Sequence, residues 1–339
     1  MSVAKEAGYF YTDTSVSGNQ GLEPTQGTNV IVTGGAGFIG SKLVKALCIR
    51  GANVIVLDNL WRGKTSNLEG IDGFNVAQQF LNVDLTSYEK CLLLIKNCDL
   101  VYHLADVVAG IDFVFSNEQW LFRENLLINT NVLSACVANK IENYIYVGTA
   151  CSFPQGLQSK IASKIVSLHE KQTYPAEPES SYGWSKLMGE YEAELAHRSG
   201  KINVGILRLH NVYGPGAPYA DRAQALPALC RKIIRGEPYI VYGSGEQYRD
   251  FLYVDDVISA LMLMPSRGMN KGVIQIGTGR AVRIKEAAHF IASLGVELTG
   301  NLVKPQFDLS MPEGDFGRIA KLQRATKILG WHAKVHFEE

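Results

Sequence analysis

Apolar residues in this chain gather into short runs, and between the runs they recur at helical spacing. The runs are Thr28–Thr33 (TNVIVT), Asn53–Leu57 (NVIVL) ending at Asp58, Phe80–Val83, Leu100–Leu104 (LVYHL), Tyr144–Gly148 and Asn203–Leu209 (NVGILRL). Each has the length of a buried strand. Helices are predicted over SKLVKALCIR (41–50), Tyr88–Lys96, about Trp120–Asn139, and Ser181 to about Arg198. Apolar strands alternating with helices predict an α/β fold, a Rossmann-type doubly wound parallel sheet covered on both faces.

Beyond Pro215 the alternation loosens. A helix is predicted near Pro227–Arg235, short strands at YIVYG (239–243) and DFLYV (250–254), and helices near Val257–Met264, Ile284–Leu294 and Leu322–Leu329. The chain therefore divides into a flexible or surface-draped extension (1–27), a dinucleotide-binding domain (28–210) and a smaller mixed α/β domain (211–339). Some elements of the last return to the first sheet. The smaller domain is expected to close over the carboxyl edge of the sheet, where doubly wound folds bind their ligands.

Composition narrows the function classes. Of 339 residues 46% are hydrophobic, and 33 Lys+Arg balance 33 Asp+Glu, so the formal net charge is zero. A large core is possible, and no run of Lys and Arg gives a footprint for nucleic acid or an anionic membrane. No apolar run approaches the roughly 18–20 residues a membrane helix needs. The polar start of the chain lacks the basic-then-apolar order of a secretory signal. The six cysteines (48, 91, 98, 136, 151, 230) show no C-x-x-C spacing, which fits a reducing, cytoplasmic setting. No group of His, Cys and carboxylates has metal-ligand spacing, and His103 reads as a packed histidine.

Two stretches carry chemistry. In PAEPESSYGWSK, Tyr182 and Lys186 stand four apart, on one face of a helix. An ammonium beside a phenol favours the phenolate, so the Tyr182 pKa is expected to fall toward neutrality and make it a general acid/base. Thr149 and Cys151 follow the strand ending at Gly148, where residues two apart project to one side. Thr149 can hydrogen-bond a substrate oxygen, with Cys151 near the same carbon skeleton.

Gly34-x-x-Gly37-x-x-Gly40 lies directly after the first strand and opens a helix. That arrangement supplies a tight turn, close backbone approach to a pyrophosphate, and free N–H groups at a helix N-terminus, here those of Phe38, Ile39 and Gly40. Asp58 ends the second strand eighteen residues after Gly40, with Asn59 beside it. An acid there accepts from adenosine ribose hydroxyls and repels a 2′-phosphate, which favours NAD over NADP. Asp84, followed by Leu85, either faces the adenine amino group or serves as a turn or cap acid. Leu104 and Ala105 end the fourth strand and are expected to line the cofactor cleft.

Taken together, TGGAGFIG, Asp58, HLA (103–105), Thr149, Tyr182-x-x-x-Lys186, RLHNVYGPG and YRDFLYVDD resemble the extended short-chain dehydrogenase/reductases that act on nucleotide sugars, over about residues 28–331. The resemblance implies NAD as cofactor and a nucleotide sugar as substrate. It makes Tyr182 the acid/base, Lys186 the holder of Tyr182 and the nicotinamide ribose, and Thr149 the partner of the reacting hydroxyl. It also implies that Asn211 touches the diphosphate region and that Arg249 and Arg318 clamp phosphates, as arginine does in bidentate fashion. A homodimer through the 120–139 and 181–198 helices is implied as well.

Finer features point within the family. Ala150 and Cys151 stand where the 4,6-dehydratases carry Asp and Glu. A cysteine there resembles both the GDP-mannose 3,5-epimerases and the GDP-fucose synthases, and PAEP before the tyrosine, HNVYGP and PEGDFGR (312–318) are most similar to the GDP-mannose 3,5-epimerases. In that chemistry oxidation at carbon 4 acidifies neighbouring C–H bonds, and a cysteine, whose pKa a nearby positive charge can lower, exchanges protons with a second acid/base. Those epimerases take the second group from a lysine in the loop after YGP. Here the loop reads GAPYADRAQAL, without lysine; Gln224 is nearest to the histidine of the fucose synthases, and Tyr219, Asp221 or Arg222 could substitute. Three functions follow: a 3,5-epimerase-like enzyme, a carbon-4-only oxidoreductase or 4-epimerase, and a catalytically silent NAD-binding regulator.

Overall fold

A computed structural model describes residues 21–159, 167–219, 223–300, 303–311 and 313–339. Most of the expected N-terminal extension, together with Asp221 and Arg222, lies outside these. The strands are β1 (Asn29–Thr33), β2 (Asn53–Asp58), β3 (Phe80–Asn82), β4 (Leu100–His103), β5 (Asn143–Thr149), β6 (Ser167–Leu168), β7 (Asn203–Leu209), β8 (Asn211–Tyr213), β9 (Ile240–Tyr242), β10 (Tyr248–Arg249), β11 (Phe251–Tyr253), β12 (Val273–Ile276), β13 (Val282–Arg283), β14 (Gln306–Asp308) and β15 (Gly317–Ala320). The α-helices are α1 (Phe38–Ile49), α2 (Val76–Gln79), α3 (Tyr88–Leu94), α4 (Ile111–Ser116), α5 (Glu118–Ala138), α6 (Ser181–Arg198), α7 (Ala225–Arg235), α8 (Val254–Leu263) and α9 (Ile284–Thr299).

The main sheet has seven strands in the order β3-β2-β1-β4-β5-β7-β12, every neighbouring pair parallel. Its central strands are apolar on both sides because both faces are covered, whereas the edge strand β3 is partly exposed. Val30, Val32, Val54, Val56, Tyr102, Ile145 and Val147 face one core with Leu43 and Leu47 of α1 and Val257 and Leu261 of α8. The alternate residues Ile31, Leu57, Val101, Tyr144 and Tyr146 face the other, with Cys91 of α3 and Leu121, Ile128 and Val132 of α5. Burying one such aliphatic side chain contributes about 1.5–3 kcal/mol. The chain order reverses between β1 and β4, which opens the crevice at their carboxyl ends.

The second half is built differently. Strands of two to four residues form a β13-β10-β15-β6 sheet and the pairs β8–β11 and β9–β14. Within the four-stranded sheet, Arg249 and Arg318 are direct register partners. The sequence pattern did not predict β12, whose four residues add the last strand to the main sheet. Nor did it predict α4. The helix expected from Val257 starts at Val254, and the expected final helix is a single π-type turn at Ala325–Leu329. These pieces are too short to show a period.

Candidate functional site

A cavity of about 960 Å³ runs along the carboxyl edge of the main sheet and is walled on its far side by residues from the second half of the chain. Its near wall begins at the β1–α1 turn. Gly34 adopts φ +69°, and its N–H donates to Leu57 O at 2.8 Å. A Cβ on Gly34 would lie 2.8 Å from Ala105 N, and one on Gly40 only 2.2 Å from Gly34 O. The turn is thus packed to backbone contact against both β4 and α1. Helix α1 has no side-chain cap, and Phe38, Ile39 and Gly40 line the cavity at its N-terminus. Uncapped amides at the positive end of a helix dipole, beside a cradle that a Cβ would fill, fit a dinucleotide pyrophosphate.

Asp58 is buried at the end of β2 and lines the same wall. Its oxygens accept from Ala36 N at 3.0 Å and Leu60 N at 2.8 Å, which fixes the carboxylate; burial raises its pKa against the pull of these two bonds. Asn59, Leu85, Leu104 and Ala105 also line the cavity. Asp84 is exposed and outside that lining: its Oδ1 accepts from Thr86 N at 3.0 Å and Thr86 Oγ1 at 2.8 Å. Of the two readings open for this side chain, the structure displays the turn acid.

Thr149, Cys151, Tyr182, Asn211, Arg249 and Arg318 all line the cavity farther along. Ser180 caps α6, its Oγ accepting from Gly183 N at 3.3 Å, so Tyr182 falls in the first turn. A Cβ on Gly183 would lie 2.3 Å from Cys151 O, which shows how closely α6 passes the turn after β5. Lys186 is almost fully buried, with its ammonium 4.5 Å from the Tyr146 ring centroid. Its Nζ stands 3.4 Å from Asp106 Oδ2, and Tyr182 Oη donates to the same oxygen at 3.1 Å. Burial first, then Asp106 and Cys151, push the Tyr182 phenol well above its ordinary pKa. In this arrangement burial, and after it the Asp106 carboxylate, work against the expected fall toward neutrality. His103 is a packed residue, within hydrogen-bond distance of Thr33 Oγ1 (2.7 Å) and Asn129 Oδ1 (3.0 Å). Burial and Lys186 push its pKa down to about 3.

Arg318 organises the opposite side. Its Nε donates to Gln158 Oε1 at 2.6 Å, Nη1 to Cys151 Sγ at 2.9 Å, and Nη2 to Asp315 and to Glu179 Oε2 at 3.4 Å. Burial works against the guanidinium charge, but Cys151, Asp315 and Glu179 outweigh it and raise the pKa. Arg249 Nη1 donates to the carbonyls of Tyr248 (2.8 Å) and Asp315 (2.7 Å), and its pKa is lowered to about 10 by burial and by Arg318. The expected phosphate clamp is thus engaged by protein groups, and the Arg318 donors go to Gln158, the cysteine and two carboxyls. Glu179 lines the cavity, and burial together with Asp315 raises its pKa to about 7.

Sequence reasoning missed Asp106 and Glu179. Asp106 directly follows HLA, and Glu179 lies within the very segment that carries Tyr182, but neither sits at a position whose spacing implies a role. Of the residues considered as a second acid/base, Gln224 lines the cavity; Tyr219 is 52% exposed and outside its lining. Among the described residues no His, Cys or carboxylate group could hold a metal ion, and no helix is long and apolar enough to cross a membrane.

Comparison with known proteins agrees with this architecture. GDP-mannose 3,5-epimerase of Arabidopsis thaliana is 29% identical over 318 residues, 93% of this chain and 81% of that protein. The crystal structure of UDP-glucose 4-epimerase with UDP-glucose from Thermotoga maritima superposes with a TM-score of 0.81 at 28% identity, covering 92% of this chain and 96% of that one. The Thermus thermophilus UDP-glucose 4-epimerase complex with NAD gives a TM-score of 0.77 at 28% identity, covering 92% and 96%. Residues 30–277 match the family model described as the NAD dependent epimerase/dehydratase family. The glycine cradle, the buried acid at the end of β2 and the shared cavity are what such an enzyme requires, and the chain belongs to the NAD-dependent epimerase/dehydratase family.

Proposed function

We propose that the protein is a nucleotide-sugar epimerase that works through transient oxidation at carbon 4, on a GDP-hexose in the manner of the 3,5-epimerases. The observation that carries this reading is that Thr149, Cys151 and Tyr182 line one cavity with the glycine cradle, so a sugar and a nicotinamide ring could meet there. Bound NAD supplies the hydride acceptor and returns the hydride. Thr149 orients the reacting hydroxyl, Tyr182 exchanges its proton, and Lys186 fixes Tyr182 from behind. Asn211, Arg249 and Arg318, which line the same cavity, meet the diphosphate once a bound ligand competes for the arginine donors. Cys151 is the candidate for exchanging a ring C–H proton, with Arg318 Nη1 at 2.9 Å from its sulfur. The Arabidopsis relative supports the GDP-hexose assignment.

A second reading, redox at carbon 4 alone, is favoured by one observation: the loop after Pro215 contains no lysine to act opposite Cys151. Trp184, Tyr191 and Leu195 form a stripe on α6, each more than a third exposed, which supports pairing of two copies through α5 and α6. Light scattering at micromolar concentration tests that pairing.

The deciding experiment is incubation with GDP-mannose in deuterated water. Deuterium at carbon 3 or 5 of the recovered sugar nucleotide supports the epimerase. Inversion at carbon 4 or reduction of NAD without uptake supports the second reading. No change with GDP-mannose, but turnover of a UDP-hexose, overturns the GDP assignment and leaves carbon-4 chemistry standing.

A further inference from the structure

Asp106 sits where the chain leaves β4, next to the glycine cradle, and its side chain is 13% exposed. One of its oxygens, Oδ2, takes both the Tyr182 hydroxyl at 3.1 Å and the Lys186 ammonium at 3.4 Å. The first contact is a phenol–carboxylate hydrogen bond and the second an ion pair almost out of water. An ammonium alone beside Tyr182 would draw it toward the phenolate; a carboxylate between them does the reverse.

We propose that Asp106 is the positioning residue and proton acceptor behind Tyr182, so that Asp106, Tyr182 and Lys186 act as one relay. The inference rests on the carbon-4 oxidation reading. A tyrosine whose hydroxyl is donated to a carboxylate is held as the phenol, and cannot take up a substrate proton until it gives up its own. In the oxidation direction the hydroxyl proton on carbon 4 moves to Tyr182 Oη while the phenolic proton moves to Asp106 Oδ2. The hydride leaves carbon 4 for the oxidised nicotinamide, and the carbon–oxygen bond becomes a carbonyl. Three bonds to hydrogen break and three form, and reduction runs the same exchange backwards. Lys186 keeps the carboxylate oriented and offsets the cost of holding it in a nearly dry site. The upward displacement of the Tyr182 pKa agrees with this arrangement.

The other titratable groups around the pair come from each neighbouring element. They are His103 of β4, held neutral by burial; Tyr146 of β5, under the ammonium; Cys151, in the turn after β5; and Glu190, farther along α6 and bound to Arg208 at 2.5 Å. From α5, Asn125 and Asn129 contribute neutral amides to the region.

The test uses the full-length protein and needs no substrate for its first arm. Tyrosinate absorbance is titrated in the parent and in Asp106→Asn, each with its Tyr182→Phe counterpart subtracted to isolate Tyr182 from the other tyrosines. Without the carboxylate the lysine charge is uncompensated, and the Tyr182 transition should move down by about one pH unit or more. Asp106→Ala serves as the second variant should the amide refold the contact. In the second arm, turnover with GDP-mannose, or with the UDP-hexose that replaces it, should fall roughly 10-fold or more in Asp106→Asn with KM unchanged and the pH profile displaced; Asp106→Glu should restore part of it. An unmoved Tyr182 transition in both variants, or full turnover with a superimposable pH profile, would overturn the relay. Full turnover in Tyr182→Phe would instead remove Tyr182 from the chemistry, a separate failure of the parent reading.

Discussion

The two ends of one cavity are constructed by opposite means. At the cofactor end the contacts are made by backbone: the amides of α1, a glycine at φ +69° and two glycines whose missing Cβ atoms leave room for the chain itself. At the sugar end they are made by side chains, and one guanidinium, Arg318, gathers Cys151, Gln158, Glu179 and Asp315. A backbone site depends on local spacing and admits almost no substitution at its glycines. A side-chain site depends on tertiary placement and can be rewired residue by residue, and substrate range in a family can vary there without disturbing the fold.

The contrast is broken most severely at Arg318. Arg318→Ala leaves the buried Asp315 carboxyl, the partly buried Glu179 carboxyl and a thiol around an empty place, and losing one partner of such a cluster costs about 3–5 kcal/mol. A large drop in melting temperature is expected, and turnover should be lost even below it. An unshifted melting curve would mean that the cluster is not the scaffold of the sugar end. Next in size is Tyr182→Phe, which should reduce turnover by roughly 100-fold while NAD affinity, measured by calorimetry, stays within a few-fold. A large loss of NAD binding instead would show that the two ends are not separable.

The glycines sharpen the cofactor end in a graded way. A Cβ on Gly40 would come within 2.2 Å of Gly34 O, but one on Gly37 only within 3.1 Å of the same oxygen. Backbone cannot retreat as a flexible side chain can. Gly40→Ala is therefore expected to destabilise by about 1–3 kcal/mol and to weaken NAD binding, with Gly37→Ala clearly milder on both measures. Equal effects would mean that close packing of α1 is not what Gly40 provides.

The same contrast explains what could be read from the chain alone. Most of the main sheet was legible because its central strands are buried on both faces and its helices are long enough to show a period. Gly34, Gly37, Gly40 and Asp58 were legible because a strand–turn–helix fixes their spacing. Tyr182 and Lys186 were placed together, but the direction of the phenol's pKa was not, because that depends on burial in the fold and on Asp106, which arrives from the segment after β4, 76 residues away. The Arg318 cluster was less legible still, since its members come from residues 151, 158, 179, 315 and 318 and meet only in the fold. Strand β12 and helix α4, at four and six residues, carry too little pattern to separate from loop.

The smallest expected effect probes the sugar end through pH. Burial and Asp315 raise the Glu179 pKa from an ordinary 4.5 to about 7, and Arg318 and Arg249 only partly oppose this. The folded protein therefore binds this proton more tightly than the unfolded chain does. The stability it contributes is fully present below about pH 4.5 and is lost as pH rises through about 7. Because Asp315 shares the site and part of the shift, about 1 kcal/mol is a reasonable scale for the loss between pH 5 and pH 8. Glu179→Gln keeps the shape and removes the titration, so its melting temperature should change less over that interval than the parent's. If the two proteins lose the same amount, Glu179 is ionised throughout, and Arg318 rather than Asp315 governs it. If only the parent softens as the pH rises from about 4.5 to about 7, the sugar end holds a carboxyl that can give or take a proton at working pH, positioned one guanidinium away from Cys151.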